Sequence, residues 1–223
     1  MSQNYTSLRF NIPFPHASKA DENGITALSK ELTPSLVLSA YIRGSFPWHI
    51  TFGKVFWYSP DPRAVLYPSE FKLSKSLSKK IKKNIFDFRI NSDFSGVINA
   101  CSLAQRKNQD GTWISDEFIE CYSKLYSYGF AISVETYQNG ILVGGFYGLR
   151  LKSIFFGESM FSNVSDASKA ALYYFCANAK DFGINLIDCQ QATSHLMNLG
   201  AKEINRGKFI ALLEKEFETE LEL

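Results

Sequence analysis

The pair Asn139-Gly140 falls between two runs of strand-type residues, AISVETY (131–137) and ILVGGFYGL (141–149), and it constrains this chain more than any other feature. Both residues tolerate the positive φ angles of a tight type I′ turn, so the two runs must fold back as a hairpin. A third apolar run, SIFFGE (153–158), follows after a few residues and extends the hairpin to an antiparallel meander. A helical pattern comes next, starting near Asp166, then a short apolar strand (184–188) and a helix over 193–199 stopped by Gly200. Strands, helix, strand and helix in that order predict an α+β domain around a mixed sheet.

The part before residue 69 reads differently, because all seven prolines lie there. Thr33-Pro34 is an N-cap with a first-turn proline, which predicts a helix over 35–43 ending at Gly44. Pro60-Asp61-Pro62 is a turn and a natural seam, giving a small N-terminal α/β domain (1–62) and a larger domain (63–223). A short strand is expected at 64–67. Helices are expected over 72–83, over 93–104 with Asp93 as cap, and over 115–128 with Ser115 as cap.

Charge is distributed unevenly. Residues 1–113 hold 15 Lys+Arg against 8 Asp+Glu, while 114–223 hold 9 against 14, so a net +2 conceals a basic half. Six lysines, among them Lys75, Lys79, Lys80, Lys82 and Lys83, surround the apolar stripe Leu73, Leu77 and Ile81 in 72–83. Such a helix tracks phosphates, lies on a membrane surface or is simply solvated; its stripe carries no aromatic residue, which disfavours the membrane. No apolar run approaches a membrane span, and the N-terminus carries no secretory signal, so a cytoplasmic protein with reduced thiols is expected. Cys101, Cys121, Cys176 and Cys189 form no C-x-x-C pair, so no metal site is expected.

Two carboxylates end apolar runs, and an amide follows the second. Glu158 follows IFF, Asp188 closes the strand at 184–188, and Gln190 comes two residues later, on the same side if the segment stays extended. Carboxylates at strand ends either cap structure or face a ligand crevice. A Cys189–His195 nucleophile–base pair is a weaker alternative, since no third residue orients the base. Trp48 and Trp113 stand in loop contexts, where indole rings pack or stack on a base.

These features recur in a fixed order: Gly44-Ser45-Phe46-Pro47-Trp48, Trp57-Tyr58-Ser59-Pro60-Asp61-Pro62-Arg63, Gly111-Thr112-Trp113, Val143-Gly144-Gly145-Phe146-Tyr147-Gly148, Gly157-Glu158-Ser159-Met160-Phe161, Ile187-Asp188-Cys189-Gln190 and Leu199-Gly200-Ala201. Across roughly residues 10–205 the chain resembles the bacterial leucyl/phenylalanyl-tRNA–protein transferases. The resemblance implies a GNAT-type acyltransferase domain behind a small N-terminal domain. It implies transfer of Leu or Phe, with Met a further donor, from aminoacyl-tRNA to proteins beginning with Arg or Lys, which creates an N-degron. It also implies that no acetyl-CoA is used, and a monomer without a cofactor is expected.

By the same resemblance, Asp188 orients Gln190, Gln190 contacts the incoming amine, and Glu158 meets the cationic acceptor. Trp48, Trp113 and Tyr122 surround the terminal adenosine, and Phe146, Leu172, Phe175 and Ile187 line the slot for the transferred side chain. Phe146 stands where the family often has Leu or Met, which predicts a narrower slot. The rival readings are an acetyl-CoA-dependent GNAT N-acetyltransferase and a non-catalytic tRNA-binding protein. The stretch Phe161-Ser162-Asn163-Val164-Ser165-Asp166-Ala167 has no glycine where a coenzyme A pyrophosphate loop would need several, which disfavours the first.

Overall fold

The computed structural model describes residues 12–104 and 114–221, with side chains to 218. In chain order the first part contains β1 (Ile25–Ser29), α1 (Pro34–Ile42), β2 (Phe46–Thr51) and β3 (Lys54–Tyr58). The second contains β4 (Arg63–Leu66), α2 (Lys75–Lys82), β5 (Asp87–Ile90), α3 (Phe94–Leu103), α4 (Asp116–Ser127), β6 (Ala131–Gln138), β7 (Ile141–Leu151) and β8 (Ile154–Ser162). It closes with α5 (Ala167–Ala177), β9 (Leu186–Gln190), α6 (Ser194–Asn198), β10 (Lys202–Ile204) and α7 (Arg206–Leu221).

The expected turn is present: Asn139 and Gly140 have φ of 51° and 76° and join β6 to β7. Thr33 caps α1 by accepting from the Leu36 amide, Asp93 caps α3 through Gly96, and Thr193 caps α6 through Leu196. Ser115 precedes α4 as expected, but its hydroxyl donates to Glu117 and makes no cap bond to the backbone. The lysine helix is shorter than 72–83: Ser74 caps α2 by accepting from Leu77, which leaves Leu73 before the helix and 38% exposed.

The strands β1, β2 and β3 form a small antiparallel sheet in the order β1-β3-β2, all of it before the Pro60-Asp61-Pro62 turn. β2 was not expected, and Trp48 lies on this strand rather than in a loop. Proline is tolerated there because β2 is an edge strand. The register with β3 slips between Pro47 and His49, which leaves Trp48 as the extra residue.

Among the described residues the larger sheet has seven strands in the order β10-β4-β9-β8-β7-β6-β5, and only β8 and β9 run parallel. It is a mixed sheet in an α+β fold. Alternation along its strands sorts the core into two faces. Tyr147, Leu149, Phe156, Leu186 and Val65 pack under α1, α3, α4 and α7. Phe146, Phe155, Ile187, Val134 and Leu66 pack under α5. Two glycines of the 143–148 motif permit close approach: a Cβ on Gly144 would sit 2.5 Å from the Ala167 Cβ of α5, and one on Gly148 would sit 2.2 Å from the Phe156 carbonyl oxygen.

Candidate active site

The parallel pair defines the site. β8 and β9 are in register only at Ile154/Leu186, Phe155/Ile187 and Phe156/Asp188. Past that point β8 continues to Ser162 alongside β7, while β9 continues to Gln190 alongside β4. The two strands therefore part at their carboxyl ends, where α/β sheets open a ligand crevice.

A bulge puts Glu158 on one lip of this opening. Tyr147 pairs with Ser159 and Gly148 with Gly157, so Glu158 is the unpaired extra residue of β8. Its carboxylate accepts from the Tyr41 hydroxyl of α1 and, at 3.1 Å, from the Tyr122 hydroxyl of α4. The two hydroxyls are themselves 3.2 Å apart. Glu158 is 8% exposed, and both tyrosines are buried. Burial pushes its carboxyl up to about 8, with Asp188 adding to the rise and the two tyrosine hydrogen bonds opposing it. Near neutral pH the shift favours the neutral acid over a standing anion.

Because the proton binds more tightly in the folded state, the stability it contributes is full below the ordinary carboxylate range. That contribution declines as pH rises and is gone once pH passes about 8.

The opposite lip is held by an ion pair that the sequence did not announce. Arg63 of β4 donates to Asp188 through Nε (2.8 Å to Oδ1) and Nη2 (2.6 Å to Oδ2), with both side chains fully buried. Its guanidinium lies between the rings of Phe46 and Phe209, 4.8 and 4.5 Å from their centroids, and donates to the Gly44 carbonyl. Asp188 Oδ1 also accepts the Gln190 backbone N–H at 2.9 Å. Gln190 has φ of 63°, so it leaves the extended path and does not repeat the side of Asp188 by simple alternation. What links the two is this backbone bond. The Gln190 Nε2 is buried near Glu158 and makes no hydrogen bond of standard geometry among the described residues.

The other expected site residues divide between the two faces of the sheet. Trp48 is half-buried, with its ring centroid 4.6 Å from Tyr58 and 6.2 Å from Phe46, the ring that covers Arg63. Tyr122 joins the Glu158 group directly. Phe146, Leu172, Phe175 and Ile187 gather in the cluster under α5, none more than 3% exposed. The Phe146 ring packs edge-on against Phe155 and Phe175, at 5.7 and 5.6 Å, and so occupies the middle of that cluster. Ile187 and Asp188 are neighbours on β9, so slot wall and ion pair stand on opposite sides of one strand where it leaves β8. Trp113 lies outside the described residues.

Sequence reasoning missed Tyr41 and Arg63. A cavity of about 390 Å³ lies elsewhere, lined by Thr33, Ile50, Val55, Cys121 and Lys124 among others, and no predicted site residue borders it.

Lys80 departs from the picture of a freely solvated lysine face. Its Nζ is 2.7 Å from Asp166 Oδ2 and 2.9 Å from the Ser165 carbonyl, which ties α2 to the start of α5. Lys75, Lys79, Lys82 and Lys83 remain exposed. Burial pushes the Cys189 thiol well up, and its Sγ is 4.0 Å from the Ile187 carbonyl, which removes the support for a nucleophilic thiolate. Among the described residues, no three His, Cys, Asp or Glu side chains gather where they could hold a metal ion.

A comparison with protein families decides the relationship. The family model described as leucyl/phenylalanyl-tRNA protein transferase matches residues 65–214, and the model of that family's N-terminal domain matches 30–61. The chain belongs to this family. Among curated relatives, a leucyl/phenylalanyl-tRNA–protein transferase of Burkholderia multivorans is 47% identical over 208 residues, covering 89% of this chain and 82% of that protein. One from Nitrosomonas eutropha is 47% identical over 205 residues, covering 91% and 87%. Among solved structures, a GCN5-related N-acetyltransferase from Kribbella flavida matches at TM-score 0.39 and 11% identity, covering 64% of this chain and 54% of that one. A likeness at that level adds nothing to the layout already described.

Proposed function

We propose that this protein, an aminoacyltransferase, moves leucine or phenylalanine from aminoacyl-tRNA onto the N-terminal amine of proteins beginning with arginine or lysine. The observation that carries the reading is the parting of β8 from β9, with Glu158 on one lip, Asp188 and Gln190 on the other, and the apolar cluster of Phe146, Leu172, Phe175 and Ile187 behind. An opening with polar lips and an apolar floor suits an ester-linked Leu or Phe side chain facing a polar nucleophile.

The donor ester is already activated, so the reaction needs no separate energy source. The attacking α-amine has an ordinary pKa of about 7.7–8.0, and a useful fraction is neutral near pH 7. Most of the rate then comes from holding amine and ester together and from stabilising the oxyanion that forms. Gln190 is read as the residue that meets the amine, and its buried Nε2, near Glu158 and without a hydrogen bond of standard geometry, can donate to that oxyanion. Asp188, consumed by Arg63, acts through the Gln190 backbone and not as a base.

Trp48, Tyr122 and Trp113 are assigned to the adenosine end. The exposed lysines of α2 (Lys75, Lys79 and Lys82) and Lys83 just after it, with Lys80 as their anchor, are assigned to tRNA phosphates. The product is read as an N-degron, the protein as a cytoplasmic monomer that uses no cofactor, and residue 62 as the seam between its two domains. Among the described residues, no helix is long and apolar enough to cross a membrane.

The test offers leucyl-tRNA together with peptides beginning with Arg, Lys or Ala and follows mass. Addition of one leucine to the Arg and Lys peptides alone is expected. No addition to any peptide, together with thermal stabilisation by acetyl-CoA, would replace this reading with that of an acetyltransferase.

A further inference from the structure

Tyr41, Tyr122 and Glu158 make three mutual oxygen–oxygen contacts: Tyr41 to Glu158 Oε1, Tyr122 to Oε2 at 3.1 Å, and Tyr41 to Tyr122 at 3.2 Å. Each contact needs one hydrogen, and each phenol carries one. Two phenols satisfy two contacts. With all three contacts hydrogen-bonded, the third hydrogen sits on the carboxyl, which donates to one phenol and accepts from the other, and the three groups close a ring in which each donates once and accepts once.

We propose that Tyr41 is a positioning residue for the transfer reaction: with Tyr122 it closes a hydrogen-bond ring that stores one proton on Glu158, and the acceptor's cationic side chain expels that proton as it docks. The inference rests on the transfer reading given above and concerns how the same site recognises its acceptor.

The surroundings of Glu158 support it from each packed element. Asp188 on β9 is the fixed anion that raises Glu158, its charge is matched by Arg63 on β4, and Gln190 at the end of β9 faces the carboxyl only as a neutral amide donor, so no unspent cation holds Glu158 ionised. Tyr147 on β7 packs edge-on against Tyr122, 5.6 Å between centroids, and Cys121 on α4 has its thiol raised to about 12, so neither supplies positive charge. Burial alone favours the neutral acid, in the direction of the shift already described.

The resting lip is thus electrically neutral. A docking guanidinium or ammonium group supplies the missing counter-charge. The O–H bond of Glu158 breaks, its proton passes to solvent, and the carboxylate left behind pairs with the cation. One proton leaves for each acceptor bound. A neutral N-terminal residue cannot drive this exchange, so selectivity for Arg and Lys comes from ionising a buried acid. Tyr41 and Tyr122 then both donate to the new carboxylate, as their contacts allow.

The test uses desamino-arginyl-alanine, which keeps the guanidinium and lacks the titrating amine, bound to the full chain. Calorimetry in two buffers of different ionisation enthalpy should find close to one proton released per peptide at neutral pH. Affinity should rise about tenfold per pH unit and level off above the Glu158 titration. Tyr41→Phe removes a donor to the carboxylate, so its rising limb should move to higher pH, and Tyr122→Phe should move the limb the same way. Glu158→Gln should abolish both the proton release and the limb. Wild-type binding without proton release, or a limb unmoved in both tyrosine variants, overturns the proposal while leaving transfer intact. A wild type that transfers leucine to no cationic acceptor overturns the transfer reading and this inference together.

Discussion

Replacing Arg63 by methionine should destabilise the fold by about 3–5 kcal/mol, because it leaves the Asp188 carboxylate buried without its partner. The expectation follows from a guanidinium and a carboxylate that are both fully buried and joined by two hydrogen bonds of 2.8 and 2.6 Å. Removing the cation also empties the space between Phe46 and Phe209, which adds a packing loss. Urea unfolding measures the effect as a lower midpoint at unchanged slope. The double change Arg63→Met with Asp188→Leu separates stability from function. With no orphaned charge it should recover most of the lost stability, yet transfer should stay impaired, since Gln190 has lost the oxygen that holds its backbone N–H. Full transfer activity in the double variant would show that the pair serves the fold alone.

Gln190→Ala should lower the turnover of leucine transfer at saturating substrates by roughly 10²–10³-fold, the usual cost of one preorganised oxyanion donor. The side chain makes no bond of standard geometry that the fold depends on, and its Nε2 is buried beside the crevice, so a change in stability should be small. Single-turnover measurements with pre-bound leucyl-tRNA read the chemical step directly. Unchanged turnover with weakened acceptor binding would make Gln190 a contact for the peptide and not part of the chemistry. Gln190→Glu keeps the size but replaces the amide donor with an acceptor, and it should not restore the rate.

Much of the framework is legible in the sequence because it depends on neighbouring residues. Asn139-Gly140 dictates a turn, and Thr33, Asp93 and Thr193 dictate helix starts, through contacts three residues long. The site is less legible because its parts meet over long separations. Arg63 and Asp188 are 125 positions apart, and Tyr41 and Glu158 are 117 apart. Arg63 follows a proline turn, where a charged residue reads as surface. Tyr41 lies within PSLVLSAYI, where it reads as one more apolar core position. Glu158 was picked out as the end of an apolar run, but the bulge that turns it toward two tyrosines depends on its partner strand. The small sheet was missed for a related reason: each of its two strand pairings carries a register slip, which blurs alternation. The lysine pattern gave the helix but neither its start at the Ser74 cap nor the reach of Lys80 across to Asp166.

The most direct measurement is a crystal structure with a stable donor mimic, adenosine carrying leucine through a 3′ amide. The leucine side chain should enter between the diverging ends of β8 and β9 and reach Phe146, Phe175 and Ile187, with its carbonyl beside Gln190. Density for the analogue in the cavity lined by Thr33, Ile50 and Cys121, and none between β8 and β9, would contradict the account.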